Sequence, residues 1–222
     1  MRVTIASAFL LLLVATTAAA DQRVENRFQA AALRGSASRV IIDIPTGDIT
    51  VRNGPADRLV VNGTASRDPD GPRSRSKEQR IVNDTSVEIV VRNDEATIKR
   101  KFGPDADSFR AQAFTRYEVV IEVPAGLHLD VKTHTGEVTI HGSFGDIDVD
   151  LRAGEIEARL PRRDVRELRA SCRIGEVRTN IGNEIVEREG IFPGRTRYLN
   201  PEGKSFVTLH TTVGEVNVEL TK

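Results

Sequence analysis

Ile147-Asp148-Val149-Asp150-Leu151-Arg152-Ala153-Gly154-Glu155-Ile156-Glu157-Ala158 decides how this chain is read. Aliphatic and charged residues alternate up to the glycine and alternate again after it. Period-two alternation marks strands with one buried face. Seven, five and three residues before Gly154 stand Ile147, Val149 and Leu151; two and four after it stand Ile156 and Ala158.

The central phrase, glycine then acid then β-branched aliphatic, recurs six times: Gly47-Asp48-Ile49, Gly136-Glu137-Val138, Gly145-Asp146-Ile147, Gly154-Glu155-Ile156, Gly175-Glu176-Val177 and Gly214-Glu215-Val216. Internal repetition sets an architecture before any single residue is considered. The inward positions repeat with it. They are Val40, Ile42, Ile44, Ile49 and Val51 around Gly47, and Leu129, Val131, Thr133, Val138 and Ile140 around Gly136. Around Gly175 they are Leu168, Ala170, Cys172, Val177 and Thr179; around Gly214, Val207, Leu209, Thr211, Val216 and Val218. Each copy reads as strand, Gly-acid turn, strand.

Gly136, Gly154 and Gly175 lie 18 and 21 residues apart, and Gly214 follows 39 further on. A repeat of about 20 residues suits one coil of a β-solenoid, whose inward aliphatics stack on the next coil. Gly-Asp also suits a two-residue hairpin, which makes an antiparallel meander the rival. Corresponding positions match in chemistry at the longer period, as stacking requires, and a meander leaves long open edges. The expected fold is all-β: a single-stranded β-solenoid-like repeat domain with irregular N-terminal strands and loops, most regular at 114–180 and 205–221.

Outside the repeats, strands are expected at Val24–Ala30, Arg39–Pro45, Asp48–Arg52, Arg58–Ala65, Ser86–Arg92, Thr97–Lys101 and Phe114–Val123. Asp68–Lys77 and Phe102–Gln112 read as loops, with one helical turn near Ser76–Val82. Asn180–Lys204 reads as an irregular excursion. The final strand pair, ending at Leu220, reads as a closing cap.

The 222 residues allow one domain or at most two small ones. Lys plus Arg and Asp plus Glu both number 32, so no field of one sign points to nucleic acid or anionic lipid. There is no Trp, and aromatics are 5% of the chain, thin for a base-stacking platform or an aromatic-lined pocket. Arg2, the apolar run from Val3 to Ala15 and Ala18-Ala19-Ala20 have the form of a secretory signal peptide over 1–20. The run is shorter than the roughly 20 residues that span a bilayer. Cleavage after Ala20 is expected, an uncleaved N-terminal anchor being the alternative. The mature chain, 21–222, is then a single exported domain without a membrane span, in the periplasm or at the cell surface.

Three stretches resemble a known group, the bacterial extracytoplasmic β-strand-repeat family often labelled "putative adhesin". They are Ile41-Ile42-Asp43-Ile44-Pro45-Thr46-Gly47-Asp48-Ile49-Thr50-Val51, the run from Tyr117 through Gly126 and on to Thr135-Gly136-Glu137-Val138, and Leu209-His210-Thr211-Thr212-Val213-Gly214-Glu215-Val216. The resemblance implies a solenoid-like sheet outside the cytoplasm and a surface or partner-binding role. It implies no catalytic residues, and Asn180–Lys204 departs from its simple repeat.

Chemistry-bearing patterns are sparse. His128, His134, His141 and His210 show no metal-ligand spacing. Cys172, the single cysteine, falls on the inward face and reads as core. If the coils stack in order, Glu137, Glu155 and Glu176 form a column about 4.8 Å apart. Such carboxylates repel, raise one another's pKa or attract a cation. The calcium-binding G-G-x-G-x-D repeat is absent, and Arg152, Arg173 and Arg178 lie close, so an ion-pair ladder is expected over a calcium site. Asp130, Asp148 and Asp150 share an outward face with Lys132, as in a glycan groove or any solvated sheet. No nucleophile elbow, phosphate loop or dinucleotide fingerprint occurs, and no catalytic residue, metal or cofactor is assigned.

The expected function is non-catalytic: an exported envelope protein whose solenoid surface binds a protein or glycan, as an adhesin-like or scaffold module. The alternatives are a carbohydrate-active β-solenoid enzyme, with paired carboxylates in a cleft, and an envelope-stress signalling component acting through its loops.

Overall fold

A computed structural model describes residues 25–67, 75–103, 115–181, 185–188 and 194–222. The segment 1–20, most of the expected loops Asp68–Lys77 and Phe102–Gln112, and parts of Asn180–Lys204 lie outside the described residues.

Four long strands carry the motif: β8 (His128–His141), β9 (Ile147–Pro161), β10 (Val165–Thr179) and β13 (Ser205–Thr221). They lie side by side in the order β8, β9, β13, β10, all parallel. Gly136, Gly154, Gly214 and Gly175 fall in register across them. Two short strands, β2 (Arg39–Asp43) and β3 (Asp48–Asn53), pair with the front and back of β8, and a Thr46–Thr135 bridge sets Gly47 beside Gly136. Five copies thus line up. The hairpin alternative would pair neighbouring copies antiparallel, and these are parallel.

The front and back halves of the rungs continue separately. In front, β2 pairs with β6 (Glu95–Lys101) and β6 with β5 (Ser86–Arg92). Behind, β3 pairs with β7 (Thr115–Val123), then come β4 (Arg58–Arg67) and β1 (Glu25–Leu33). One hydrophobic cluster gathers residues of both halves, and the Arg100 guanidinium of β6 lies 4.4 Å from the Tyr117 ring of β7. Among the described residues the result is a nearly all-β, open sheet of 13 strands over one main core.

The inward register is as the alternation requires. Ile42, Val131, Val149 and Leu209 are fully buried, each worth about 1.5–3 kcal/mol by removal from water. What differs is the corner. In the four long strands the Gly-acid pair is not a turn, and the hydrogen-bonded strand runs through it; only at Gly47 does the chain break between β2 and β3. Gly136, Gly154, Gly175 and Gly214 have φ between 136° and 141°, a region open to glycine and strained for any side chain. That conformation shifts the inward set from odd positions before the glycine to even ones after it without breaking the ladder. A Cβ on Gly154 would also run into the carbonyl of Gly136, and one on Gly214 into that of Gly154.

Gly145 is the exception among the six. It lies in the connection between β8 and β9, against the Gly126 carbonyl and His128. Three residues before it stands Gly142 in place of an inward aliphatic, so no rung can form there.

The last strand is not a cap. β13 inserts between β9 and β10. Its inward Val216 and Val218 are buried, whereas Val177 and Thr179 of β10 are half-buried. Behind the glycine, the strand with two inward valines takes the interior slot and the one ending in Thr179 the rim. The excursion before it forms β11 (Ile185–Arg188) and β12 (Gly194–Leu199), antiparallel to each other, with β12 antiparallel to the front of β10. The expected single helical turn is longer, α1 (Arg75–Asp84). The Asn26 amide donates to the carbonyls of Val82, Asn83 and Thr85 at its C-terminal end, which satisfies groups a helix end leaves open.

Candidate functional site

Strands present alternate residues to solvent, so in-register rungs line like residues up on the outer faces. Behind the glycines this makes an acidic row: Asp48, Glu137, Glu155, Glu215 and Glu176. Glu137 and Glu155 are neighbours, as expected. Glu155 and Glu176 are not, because Glu215 stands between them. Glu215 carries the same motif but falls outside the expected column, because the sequence reading sets β13 at the end of the stack.

Arg178 bridges Glu176 at 2.7 Å and Glu215 at 3.5 Å, and these carboxylates raise the pKa of its guanidinium. Asn217 donates to Glu155, and Thr139 donates to Glu137 at 3.1 Å. Arg152 and Arg173 make no ion pair among the described residues. Among the described residues Arg178 and neutral donors hold the ladder, and Arg152 and Arg173 take no part in it. Among the described residues no group of three acids, histidines or cysteines is placed to hold a metal ion.

On the front face Asp130 lies opposite Asp148, and Lys132 opposite Asp150, so the expected trio does converge. Asp130 is mostly covered and accepts ion pairs from Arg39 at 3.6 Å and Lys132 at 3.4 Å. Asp148 has no such partner among the described residues. Burial, then the charges of Asp130 and Asp150, push its carboxyl above the usual range, and Lys132 and Arg39 offset this in part.

Beyond β13 the same face changes sign. Thr208, Arg169 and Arg197 form one cross-strand row, and His210, Ser171 and Arg195 the next. Thr208, Arg169, Arg197, Ser171 and Arg195 rim a concavity of about 430 Å³. Glu167 sits at its end with a side chain 14% exposed, and one oxygen accepts from Arg169 Nε at 2.7 Å and Arg197 Nε at 3.0 Å. Those bonds hold Glu167 below the ordinary carboxylate range. Sequence reasoning missed this group. Arg169 and Ser171 sit at outward positions of a repeat, but Arg195 and Arg197 belong to the irregular segment, whose pairing no periodicity announces. A second, broader concavity of about 840 Å³ lies on the back face, over Thr50, Asn62, Thr64 and Thr139.

His128, His210 and Cys172 are held by their neighbours. His128 Nδ1 accepts the Asp146 amide at 2.9 Å, and His210 Nδ1 lies 3.0 Å from Ser171 Oγ. Cys172 is buried on the inward face, its thiol donates to the Gly214 carbonyl at 3.1 Å, and burial raises its pKa. A thiol so placed is a core residue.

No protein-family profile matches the sequence, and no curated protein matches it. Among solved structures the chain is similar to a "putative cell adhesion protein" from Clostridium sporogenes ATCC 15579. The TM-score is 0.50 at 12% identity, over 89% of this chain and 100% of that one. At that identity the likeness is one of fold.

Proposed function

We propose that the protein is a non-catalytic, exported envelope module, adhesin-like or scaffold, that binds a protein or glycan on the outer faces of a solenoid-like stack. The observation that carries this reading is the registration of the rungs. Five copies in line repeat side-chain chemistry at about 4.8 Å per strand along a row, and such faces match extended or repetitive partners. The name given to the structural neighbour accords with it. No described helix is long and apolar enough to cross a membrane, and export rests on the form of residues 1–20.

The test is capture by the immobilised mature chain, using envelope fractions and glycan arrays. The triple variant Glu137→Lys, Glu155→Lys, Glu215→Lys reverses the back face, and Asp148→Lys with Asp150→Lys reverses part of the front. Loss of a ligand in one of these, with the thermal transition retained, supports the reading. A ligand whose capture survives both sets, and also survives Arg169→Glu with Arg197→Glu on the remaining part of the front face, contradicts it.

A further inference from the structure

We infer that the concavity over β10, β12 and β13 is a binding site for an anionic polysaccharide, one bearing carboxylate or sulfate groups. This extends the display reading by assigning a site and a ligand class.

The argument starts from Glu167. Its carboxylate is shielded by its neighbours and accepts the Nε–H of both Arg169 and Arg197 on a single oxygen. Each arginine uses only its Nε there. Among the described residues the Nη groups of both take no hydrogen bond, and both side chains are at least half exposed, so two forked donors are open to solvent on one row. A guanidinium fixed by a carboxylate behind it loses less freedom on binding than a free surface arginine. This is a pair of oriented donors, not a diffuse charge. Arg169 and Arg197 against Glu167 also leave net positive charge, so the site favours an anion.

The neighbours suit a sugar. Ser171 and Thr208 line the same concavity, and hydroxyls donate and accept equally, which fits ring hydroxyl groups. A volume of about 430 Å³ is within the range of small-molecule sites. Adjacent strands stand about 4.8 Å apart, so the two guanidiniums reach successive oxygens of one charged sugar or the charges of neighbouring residues in a chain. On the far side of β13, Asp148 and Asp150 repel the same ligand and confine it to the β10–β12 side.

The experiment measures binding of labelled oligogalacturonate and of dextran sulfate by fluorescence anisotropy, with neutral dextran as competitor. One or both anionic probes bind, the better one identifying carboxylate or sulfate as the charge, and neutral dextran does not displace them. Arg169→Ser and Arg197→Ser each weaken binding at least ~10-fold. Arg152→Ser, on the glycine corner, leaves it unchanged. Glu167→Gln is the decisive variant. It adds positive charge yet removes the group that orients both arginines, so binding weakens several-fold. Tighter binding by Glu167→Gln, or equal loss from Arg152→Ser, reduces the site to diffuse attraction and overturns the proposal. So does failure of both anionic probes. A ligand captured only by the back face would overturn this site while leaving the display reading standing.

Discussion

Gly214 lies directly against the carbonyl of Gly154, in register with it on the neighbouring parallel strand. The same contact repeats from Gly47 through Gly136, Gly154 and Gly214 to Gly175, each glycine seated on the carbonyl before it. A side chain anywhere in this line meets backbone, which cannot rotate away. Gly154→Ala is therefore expected to cost at least about 3 kcal/mol in chemical denaturation, combining strain and overpacking. Gly35 also has positive φ but open space around it, and Gly35→Ala is expected to cost about 1 kcal/mol. Equal costs would show that conformation alone, not stacking, demands the glycine.

Arg100 is buried and has no carboxylate partner among the described residues. Its Nη1 donates to the Thr46 hydroxyl at 3.2 Å and lies 3.4 Å from the Thr46 carbonyl, while Nε and Nη2 make no hydrogen bond. The rings of Phe102 and Tyr117 sit 4.4 Å from it. Burial brings its pKa down to about 10. Because the folded value is lowered, the charge opposes folding below pH 10, and stability rises as pH climbs above about 10, where the native state sheds a proton the unfolded chain keeps. Arg100→Met is expected to raise stability at neutral pH by about 1–4 kcal/mol. A loss of that size would mean the ring contacts outweigh desolvation.

Asp148 makes a prediction of opposite dependence. Its folded pKa lies above the unfolded value, so its ionised form opposes folding at neutral pH, and this penalty disappears as pH falls through the raised value. Asp148→Asn should therefore melt higher than the parent at pH 7 and match it once both carboxyls are protonated. A difference that persists at pH 3 would mean the gain is not electrostatic.

The interior place of β13 makes the C-terminus indispensable. β9 and β10 are each paired to β13 and not to each other. A chain ending at Asn200 should show no cooperative transition by circular dichroism. A truncated chain that melts cooperatively would mean β9 and β10 can close the gap themselves.

The repeat was legible because its burial pattern is local. Val131, Val149 and Leu209 announce a buried face within a few residues. The strand order was not, because nothing near Gly214 in sequence records that it docks between Gly154 and Gly175. That choice follows from a comparison across the chain, between Val216 and Val218 on one side and Val177 and Thr179 on the other. The acidic candidates were found by the same local rule, with Glu215 lost to the assumed order. The arginine group over Glu167 was invisible, since it is assembled by antiparallel pairing of a segment that carries no repeat. The Gly-acid corner was misread as a turn because glycine followed by an acid looks alike in a hairpin and in a strand that changes face.

The account stands on parallel, in-register rungs with β13 inside, and cysteine pairs on the acidic row test that directly. In a Cys172→Ser background, Glu155→Cys with Glu215→Cys, and Glu215→Cys with Glu176→Cys, place thiols on adjacent strands about 4.8 Å apart, within disulfide reach. Glu155→Cys with Glu176→Cys places them two strands apart, beyond it. Mild oxidation should cross-link the first two pairs within one chain and leave the third reduced. Cross-linking of the third pair in preference to the others would contradict the strand order and the stacked line of glycines with it.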